Sequence, residues 1–341
     1  MDLETRNERY VYEALSYETH HHPIRLLKVL QGEKGSRICC ELFHTHLTTF
    51  EKPSEDSDSD SDSLGLAAFG EYNDDFEGDP RYTALSYVWG DHTDTVAIQV
   101  CGKELSVTRN LFKFLECHRD TFLRNRSTEP LFWIDAICID QSNIGERSRQ
   151  VECMAEVYEK AQNVLIWLGE ENEDTSIAFE TARKWNGDYQ ATKRERQACS
   201  KTFEGGWWDR LWVVQEAVHA RSLLMRCGTL ELSWESFDER FELTVSPFSN
   251  IGMIVIYRQY FQENSSVATA LLKHFGRRKC YDPRDIIFAT RSILPALVSV
   301  VPDYSLCIAD VFTSATRAII SHYKDLNVLC YRSRKAPSRC K

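Results

Sequence analysis

The sequence contains no Cys-x-x-Cys pair, although 12 of its 341 residues are cysteine. Most structural zinc sites use cysteines at that spacing, and the adjacent Cys39 and Cys40 are poorly placed to ligate one zinc ion. We therefore predict no metal site. The charged residues 1–10 include no apolar stretch, which indicates that a secretory signal is absent. Without export, the thiols are expected to stay reduced in the cytoplasm.

Long apolar runs and glycine-rich nucleotide loops are missing as well. The best uncharged apolar run, Ile293–Val301, is far shorter than the roughly 20 residues that cross a bilayer. Neither a G-x-G-x-x-G motif nor a P-loop occurs, which excludes the conventional cradles for dinucleotides and ATP. These absences predict a protein that neither spans nor binds a membrane and holds no resident cofactor.

Basic charge is not in excess, since the net charge is −10. Ten acidic residues and no basic ones lie between Lys52 and Arg81, and without those ten the 51 acids would equal the 41 lysines and arginines. A protein whose charges balance everywhere except in one acidic segment is not expected to bind nucleic acid. Residues 54–63 read SEDSDSDSDS, so we interpret residues 51–79 as a disordered acidic insertion, either a plain solvated loop or a regulatory tract.

Apolar segments alternate with amphipathic ones over residues 82–227. Strands are predicted at Tyr82–Trp89, Leu131–Ile139, Val164–Leu168 and Ser222–Cys227, with a hairpin formed by Val96–Val100 and Lys103–Val107. Helices are predicted at Asn110–Leu123, Glu146–Ala161 and Trp207–Ala220. Strands that are apolar on both faces, alternating with helices, indicate a doubly wound α/β fold with a mostly parallel sheet and helices on both faces.

The remaining segments are predicted to surround a core at residues 80–230. Residues 1–50 are expected to supply a strand pair, Ile24–Leu30 and Arg37–Leu42, that packs on this core. Residues 231–330 are predicted to be a helical part, with helices at Ser265–Phe275 and Ala309–Tyr323, and residues 331–341 form a basic tail.

Several polar side chains lie at the ends of predicted strands, where doubly wound folds bind their ligands. Ser86, Trp89 and Asp91 end the first strand, and Asp135 lies inside the second apolar run. A buried carboxylate needs partners, so Asp135 is either a site residue or a structural cap for a backbone turn. Trp89 is either a ligand contact or core filling.

Glu216 is the strongest candidate for a working carboxylate. On a helix, Trp212 and Glu216 are four residues apart and share a face. Burial beside a tryptophan raises the pKa of a carboxyl group and withholds it from bulk water. The alternatives are that Glu216 pairs with Arg210 as scaffold, and that Trp212 fills the core.

Long blocks of the sequence resemble, in order, the signature blocks of the fungal heterokaryon-incompatibility (HET) domain family. They are residues 82–91 (YTALSYVWGD), 131–141 (LFWIDAICIDQ), 150–161 (QVECMAEVYEKA) with 164–169 (VLIWLG), and 208–216 (WDRLWVVQE). The flanks at 24–27, 282–285 and 302–305 also resemble such proteins. The resemblance implies a cytoplasmic cell-death effector of fungal non-self recognition, which acts with an incompatibility partner protein and associates with itself on activation.

This family is regarded as a distant relative of TIR domains, which implies a TIR-like, flavodoxin-like sheet. Many TIR domains cleave NAD with a glutamate four residues after a helical tryptophan, a spacing that Trp212 and Glu216 reproduce. The kinship thus implies an NAD glycohydrolase with Glu216 as the catalytic residue and substrate contacts from Ser86, Trp89, Asp91, Asp135 and Trp212. The alternative is a non-catalytic signalling module that triggers cell death by oligomerisation.

Overall fold

The computed structural model describes residues 8–17, 22–47, 81–122, 130–184, 189–236, 250–262, 275–324 and 326–330. The acidic insertion at 51–79, the basic tail at 331–341 and nearly all of the predicted helix Ser265–Phe275 lie outside these residues.

The described residues form an α/β fold around one nine-stranded sheet with the order β5-β4-β2-β1-β6-β3-β7-β8-β9. Central strands such as β1 and β3 are buried over nearly their whole length, because helices and loops cover both of their faces. The strands are β1 (His22–Val29), β2 (Cys39–Leu47), β3 (Tyr82–Tyr87), β4 (Thr95–Val100), β5 (Lys103–Thr108), β6 (Leu131–Trp133), β7 (Asn163–Trp167), β8 (Leu223–Cys227) and β9 (Leu230–Ser233).

The centre of the sheet is parallel and positions the candidate site. Strands β6, β3, β7 and β8 are parallel neighbours. In chain order β3 comes first, so the centre has the order second, first, third, fourth, as in flavodoxin-like sheets. In such sheets the crevice for ligands lies beyond the carboxyl end of the first strand, where the chain switches direction across the sheet. Here that end is Ser86 and Tyr87.

The predicted mostly parallel sheet needs correction, since the sheet is mixed. Pairs β1–β2, β1–β6, β4–β5 and β8–β9 are antiparallel. Two-residue turns account for two of them, because such a short connection can join only antiparallel strands. The predicted hairpin turn at Cys101 and Gly102 is confirmed, and both residues have positive φ, as a tight hairpin turn requires.

The predicted strand Leu131–Ile139 is wrong beyond Trp133. After β6 the chain forms one helical turn, α2 (Asp135–Cys138), in which the amide of Cys138 donates to the carbonyl oxygen of Ile134 at 2.7 Å. The apolar side chains remain buried in either conformation, so a continuous apolar run cannot distinguish a strand from a short buried helix. The turn places Asp135 at the carboxyl end of β6.

The described helices besides α2 are α1 (Arg109–Cys117), α3 (Ile144–Lys160), α4 (Glu173–Lys184), α5 (Lys193–Phe203), α6 (Trp212–His219), α7 (Asn250–Gln262), α8 (Asp285–Phe288) and α9 (Ile308–Tyr323). None of the helices in the described part of the chain is long and apolar enough to span a membrane.

The predicted helix Trp207–Ala220 is interrupted. A 3-10 turn at Gly206–Asp209 precedes α6, and the backbone of Lys279 lies between the two pieces. The Lys279 amide donates to the Asp209 carbonyl oxygen at 2.7 Å, and its own carbonyl oxygen accepts from the Leu211 amide at 3.0 Å. These bonds replace helical ones, so the chain stays extended at Arg210.

A buried ion pair fixes the N-terminal strands to the first turn of α3. Arg25 on β1 is 0% exposed and donates both terminal nitrogens to Glu146, at 2.6 and 3.0 Å. The same guanidinium donates to the carbonyl oxygen of Cys138, and Glu146 accepts from the Asp140 amide at 2.8 Å. Arg25 therefore holds the end of α2 in place.

Candidate functional site

Ser86 and Glu216 form a hydrogen-bonded pair at the carboxyl end of β3. The Ser86 hydroxyl donates to the Oε2 atom of Glu216 and accepts from the indole nitrogen of Trp207 at 2.7 Å. Ser86 and Glu216 are 1% and 2% exposed. The pair exists because β3 ends beside α6, so a serine in the strand meets a glutamate from the first turns of the helix.

Burial raises the pKa of Glu216 from its ordinary 4.5 to about 7. The positive charge of Arg210 and the hydrogen bond from Ser86 oppose this shift, and the nearby Asp135 adds to it. A carboxyl group with a pKa near neutrality changes its charge under physiological conditions. Such a group is suited to transfer a proton or, when ionised, to stabilise a positive charge.

Asp135 is a second carboxylate at the same edge of the sheet. Its Oδ2 atom accepts from the indole nitrogen of Trp89 at 2.8 Å, and its Oδ1 atom accepts from the Ala136 amide at 2.7 Å. Burial raises its pKa, while the charge of Arg210 and the hydrogen bonds from Trp89 and the Ala136 amide oppose the rise. The contact with Ala136 lies within the first turn of α2, and it coexists with the contact to Trp89.

Arg210 supplies positive charge between the two acids. One of its terminal nitrogens donates to the carbonyl oxygen of Tyr87, and its charge favours ionisation of both Asp135 and Glu216. One cation cannot neutralise two carboxylates, so ionisation of either acid opposes ionisation of the other. We call Ser86, Asp135, Arg210 and Glu216 the carboxylate site.

Two of the sequence-predicted site residues belong to other networks. Asp91 is exposed and accepts from the amide and hydroxyl of Thr93, at 2.8 and 2.7 Å, within the loop after β3. Trp212 lies beside Asp285, a buried acid that accepts from the Tyr304 hydroxyl at 2.7 Å, and it opposes the rise in the pKa of that acid. Trp212 thus connects α6 to the C-terminal segment, whereas Ser86, Trp89, Asp135 and Glu216 come together.

Trp207 and Tyr87 also belong to the site but are not predicted from the sequence, and Arg210 is predicted only as scaffold. All three lie inside or beside the blocks that carry the resemblance, and each is adjacent or close in sequence to a predicted site residue. Position within those blocks was the signal that could have identified them. Their contacts depend on the interruption of the helix at Arg210, which the sequence does not reveal.

The segment of this chain that is similar to known proteins includes all four residues of the carboxylate site. Residues 82–216 match the family model described as heterokaryon incompatibility protein (HET), so the match begins at the first residue of β3 and ends at Glu216. No solved structure matches with significance.

Two curated fungal proteins are similar over part of their length. Heterokaryon incompatibility protein 6, OR allele, of Neurospora crassa is 41% identical over 106 residues, which cover 28% of this chain and 15% of that protein. Vegetative incompatibility protein HET-E-1 of Podospora anserina is 24% identical over 144 residues, or 42% of this chain and 9% of that protein. The alignments thus span less than a sixth of either relative.

Proposed function

Because residues 82–216 form a HET domain, we propose that this protein is a cell-death effector of fungal non-self recognition and that its carboxylate site cleaves NAD. The observation that carries the proposal is the Ser86–Glu216 pair at the carboxyl end of the first parallel strand. There a carboxyl group with a pKa of about 7 lies beside a second acid and one arginine. The strand order and the Trp212–Glu216 spacing support kinship with TIR domains.

The cleavage needs little from the protein apart from charge and orientation. The nicotinamide of NAD is cationic, so the bond between its ring nitrogen and the ribose carbon breaks with the electron pair leaving to nitrogen. A carboxylate stabilises the positive charge that develops on the ribose, as in glycoside hydrolysis. Water then adds to that carbon and loses a proton, which gives ADP-ribose. We assign charge stabilisation to ionised Glu216 and its orientation to Ser86.

The arrangement of Glu216 suits a protein that is inactive before recognition. In the chain described, Glu216 is 2% exposed and its carboxylate is hydrogen-bonded to Ser86. A ribose reaches Glu216 only after this pair rearranges. We propose that association between copies, triggered by an incompatibility partner, provides that rearrangement. Nicotinamide release per molecule should therefore rise with protein concentration in assays of the purified chain, and a rate strictly proportional to concentration would contradict this activation step.

In cells, Glu216→Gln should abolish both NAD loss and death. Glutamine has the same shape and accepts the Ser86 hydrogen bond, but it carries no charge. The measurement is total NAD and viability after induced expression, with matched protein levels verified by immunoblot. Glu180→Gln, which changes an exposed glutamate on α4, is the matched control and should behave as wild type.

The alternative function is a non-catalytic module that triggers death by assembly. The observation that favours it is the near-complete burial of Glu216, which a purely structural hydrogen bond also explains. Equal toxicity from wild type and Glu216→Gln, with NAD intact in both, would favour assembly over catalysis.

A further inference from the structure

A row of three aromatic side chains lies on the surface beside the carboxylate site. The rings of Trp89 and His92 are 5.5 Å apart, and those of His92 and Tyr281 are 6.2 Å apart. Tyr281 is 96% exposed, so nearly the whole side chain is open to solvent. An aromatic ring that is exposed to this extent, at the end of a row of rings, is a feature of ligand-binding surfaces.

Both ends of the row are attached to the carboxylate site. At one end the Trp89 indole donates to Asp135 at 2.8 Å. At the other end Tyr281 follows Lys279, whose backbone pairs with the extended residue Arg210. The ammonium group of Lys279 also lies 2.8 Å from the carboxylate of Asp209, which adds a side-chain contact to this pairing. The row is therefore an outer extension of the site, built from the loop after β3 and the loop before α8.

We propose that Trp89, His92 and Tyr281 bind the adenine ring of the dinucleotide, with the base stacked on the open face of Tyr281. This inference rests on the proposed function, because it assigns the two ends of NAD to two parts of one site. The bond that breaks must approach Glu216, which is buried, so the nicotinamide end points inward. The exposed row is then left for the far end of the molecule, which is a flat purine.

Stacking of the adenine ring on these side chains would explain why the row is aromatic and carries little charge. Every base presents a flat π face. An aromatic side chain can therefore bind a base by stacking, without a set of polar contacts and without a glycine-rich loop. This agrees with a chain that has neither G-x-G-x-x-G nor a P-loop. The indole of Trp89, polarised by its hydrogen bond to Asp135, links the base-binding row to the acidic part of the site.

Isothermal titration of the purified full chain with ADP-ribose tests the assignment without requiring catalysis. Tyr281→Ala should weaken ADP-ribose binding about tenfold, and Tyr281→Phe, which keeps the ring, should retain wild-type affinity. Phe43→Ala is the control, because Phe43 is an exposed aromatic residue on β2, three strands away from β3. Nicotinamide mononucleotide, which lacks adenine, should bind wild type and Tyr281→Ala equally.

The outcomes separate this inference from the proposed function. Equal ADP-ribose affinity in wild type and Tyr281→Ala, or no binding to wild type at millimolar concentration, overturns the adenine assignment. A loss confined to nicotinamide mononucleotide overturns it too, since the row would then bind the other end. If Tyr281→Ala instead impairs only self-association, the row is a protein contact and the inference fails. Tyr281-dependent ADP-ribose binding in a wild type that never releases nicotinamide overturns the enzymatic function but leaves the adenine site standing.

Discussion

Glu216→Gln should lower kcat for NAD cleavage by the purified chain by roughly 10³-fold. The substitution removes the charge that stabilises the developing cation and preserves the volume of the side chain and its hydrogen bond to Ser86. The measurement is nicotinamide release at a protein concentration at which wild type is active, with circular dichroism as a check of folding. Glu180→Gln on the exposed face of α4 should match wild type. A Gln variant with wild-type kcat would remove Glu216 from the mechanism.

Ionisation of Glu216 should affect the pH dependence of two wild-type properties in opposite directions. Wild-type kcat should rise as pH increases through about 7, the pKa of Glu216, because the proposed mechanism requires the ionised carboxylate. Wild-type stability should fall over the interval from 4.5 to about 7, since the unfolded chain releases a proton that the folded chain retains. The stability associated with Glu216 is complete below pH 4.5 and lost above pH 7.

Urea unfolding at pH 5 and pH 8 measures this linkage directly. Glu216→Gln should gain stability relative to wild type by up to about 3 kcal/mol between the two pH values, because a pKa difference of one unit corresponds to about 1.4 kcal/mol. Acids that do not interact with Glu216, such as Asp285, contribute equally in both proteins and cancel in the difference. Parallel stability curves for the two proteins would show that the Glu216 carboxyl group titrates normally in the folded chain.

Glu146→Ala should destabilise the folded protein by about 3–5 kcal/mol, the largest loss of stability that we expect from a single substitution. It leaves the Arg25 guanidinium, which is 0% exposed, without its bidentate partner inside the protein. Urea unfolding at pH 7 is the measurement. Glu180→Ala is the control, because it removes an exposed ion pair with Lys184 and should cost under about 1 kcal/mol.

The double variant Arg25→Met with Glu146→Met tests the physical reason. Apolar side chains of similar length need no charged partner, so this variant should recover most of the stability that Glu146→Ala loses. If the double variant is as unstable as Glu146→Ala, the loss comes from the hydrogen bonds to Cys138 and Asp140 rather than from the unpaired charge.

The parts of the fold that could be predicted are those set by local pattern. Mostly apolar, buried strands such as β3 and β7, and the hairpin at Cys101 and Gly102, follow from neighbouring residues alone. Sheet order and strand direction depend on contacts between distant segments, so β1 and β2 were expected beside the core and not within its sheet. The apolar run after Trp133 is compatible with a strand and with a short buried helix. In the structure β6 pairs with only three residues of β3, and the chain is helical soon after that pairing ends.

The candidate site shows the same division. Ser86 and Glu216 were predicted separately from strand-end position and helical spacing, and the structure places them in contact. Trp212 and Glu216 lie four residues apart on α6, as predicted, but the proximity of Trp212 to Asp285, which is distant in the sequence, could not be predicted. Tyr281 could not be predicted at all, because its position depends on backbone pairing of Lys279 with Arg210.

The strand order has a consequence for any attempt to isolate the segment that matches the family model. Residues 82–216 contain β3, β4, β5, β6 and β7, but the β4–β5 hairpin reaches β6 only through β2 and β1. A fragment trimmed to those residues would hold two separate pieces of sheet with no strand joining them. It would also leave the ladders of β4, β6 and β7 open, and open ladders recruit strands from other molecules. Residues 82–216 are therefore a shorter segment than the part of this chain that is needed to form one continuous sheet.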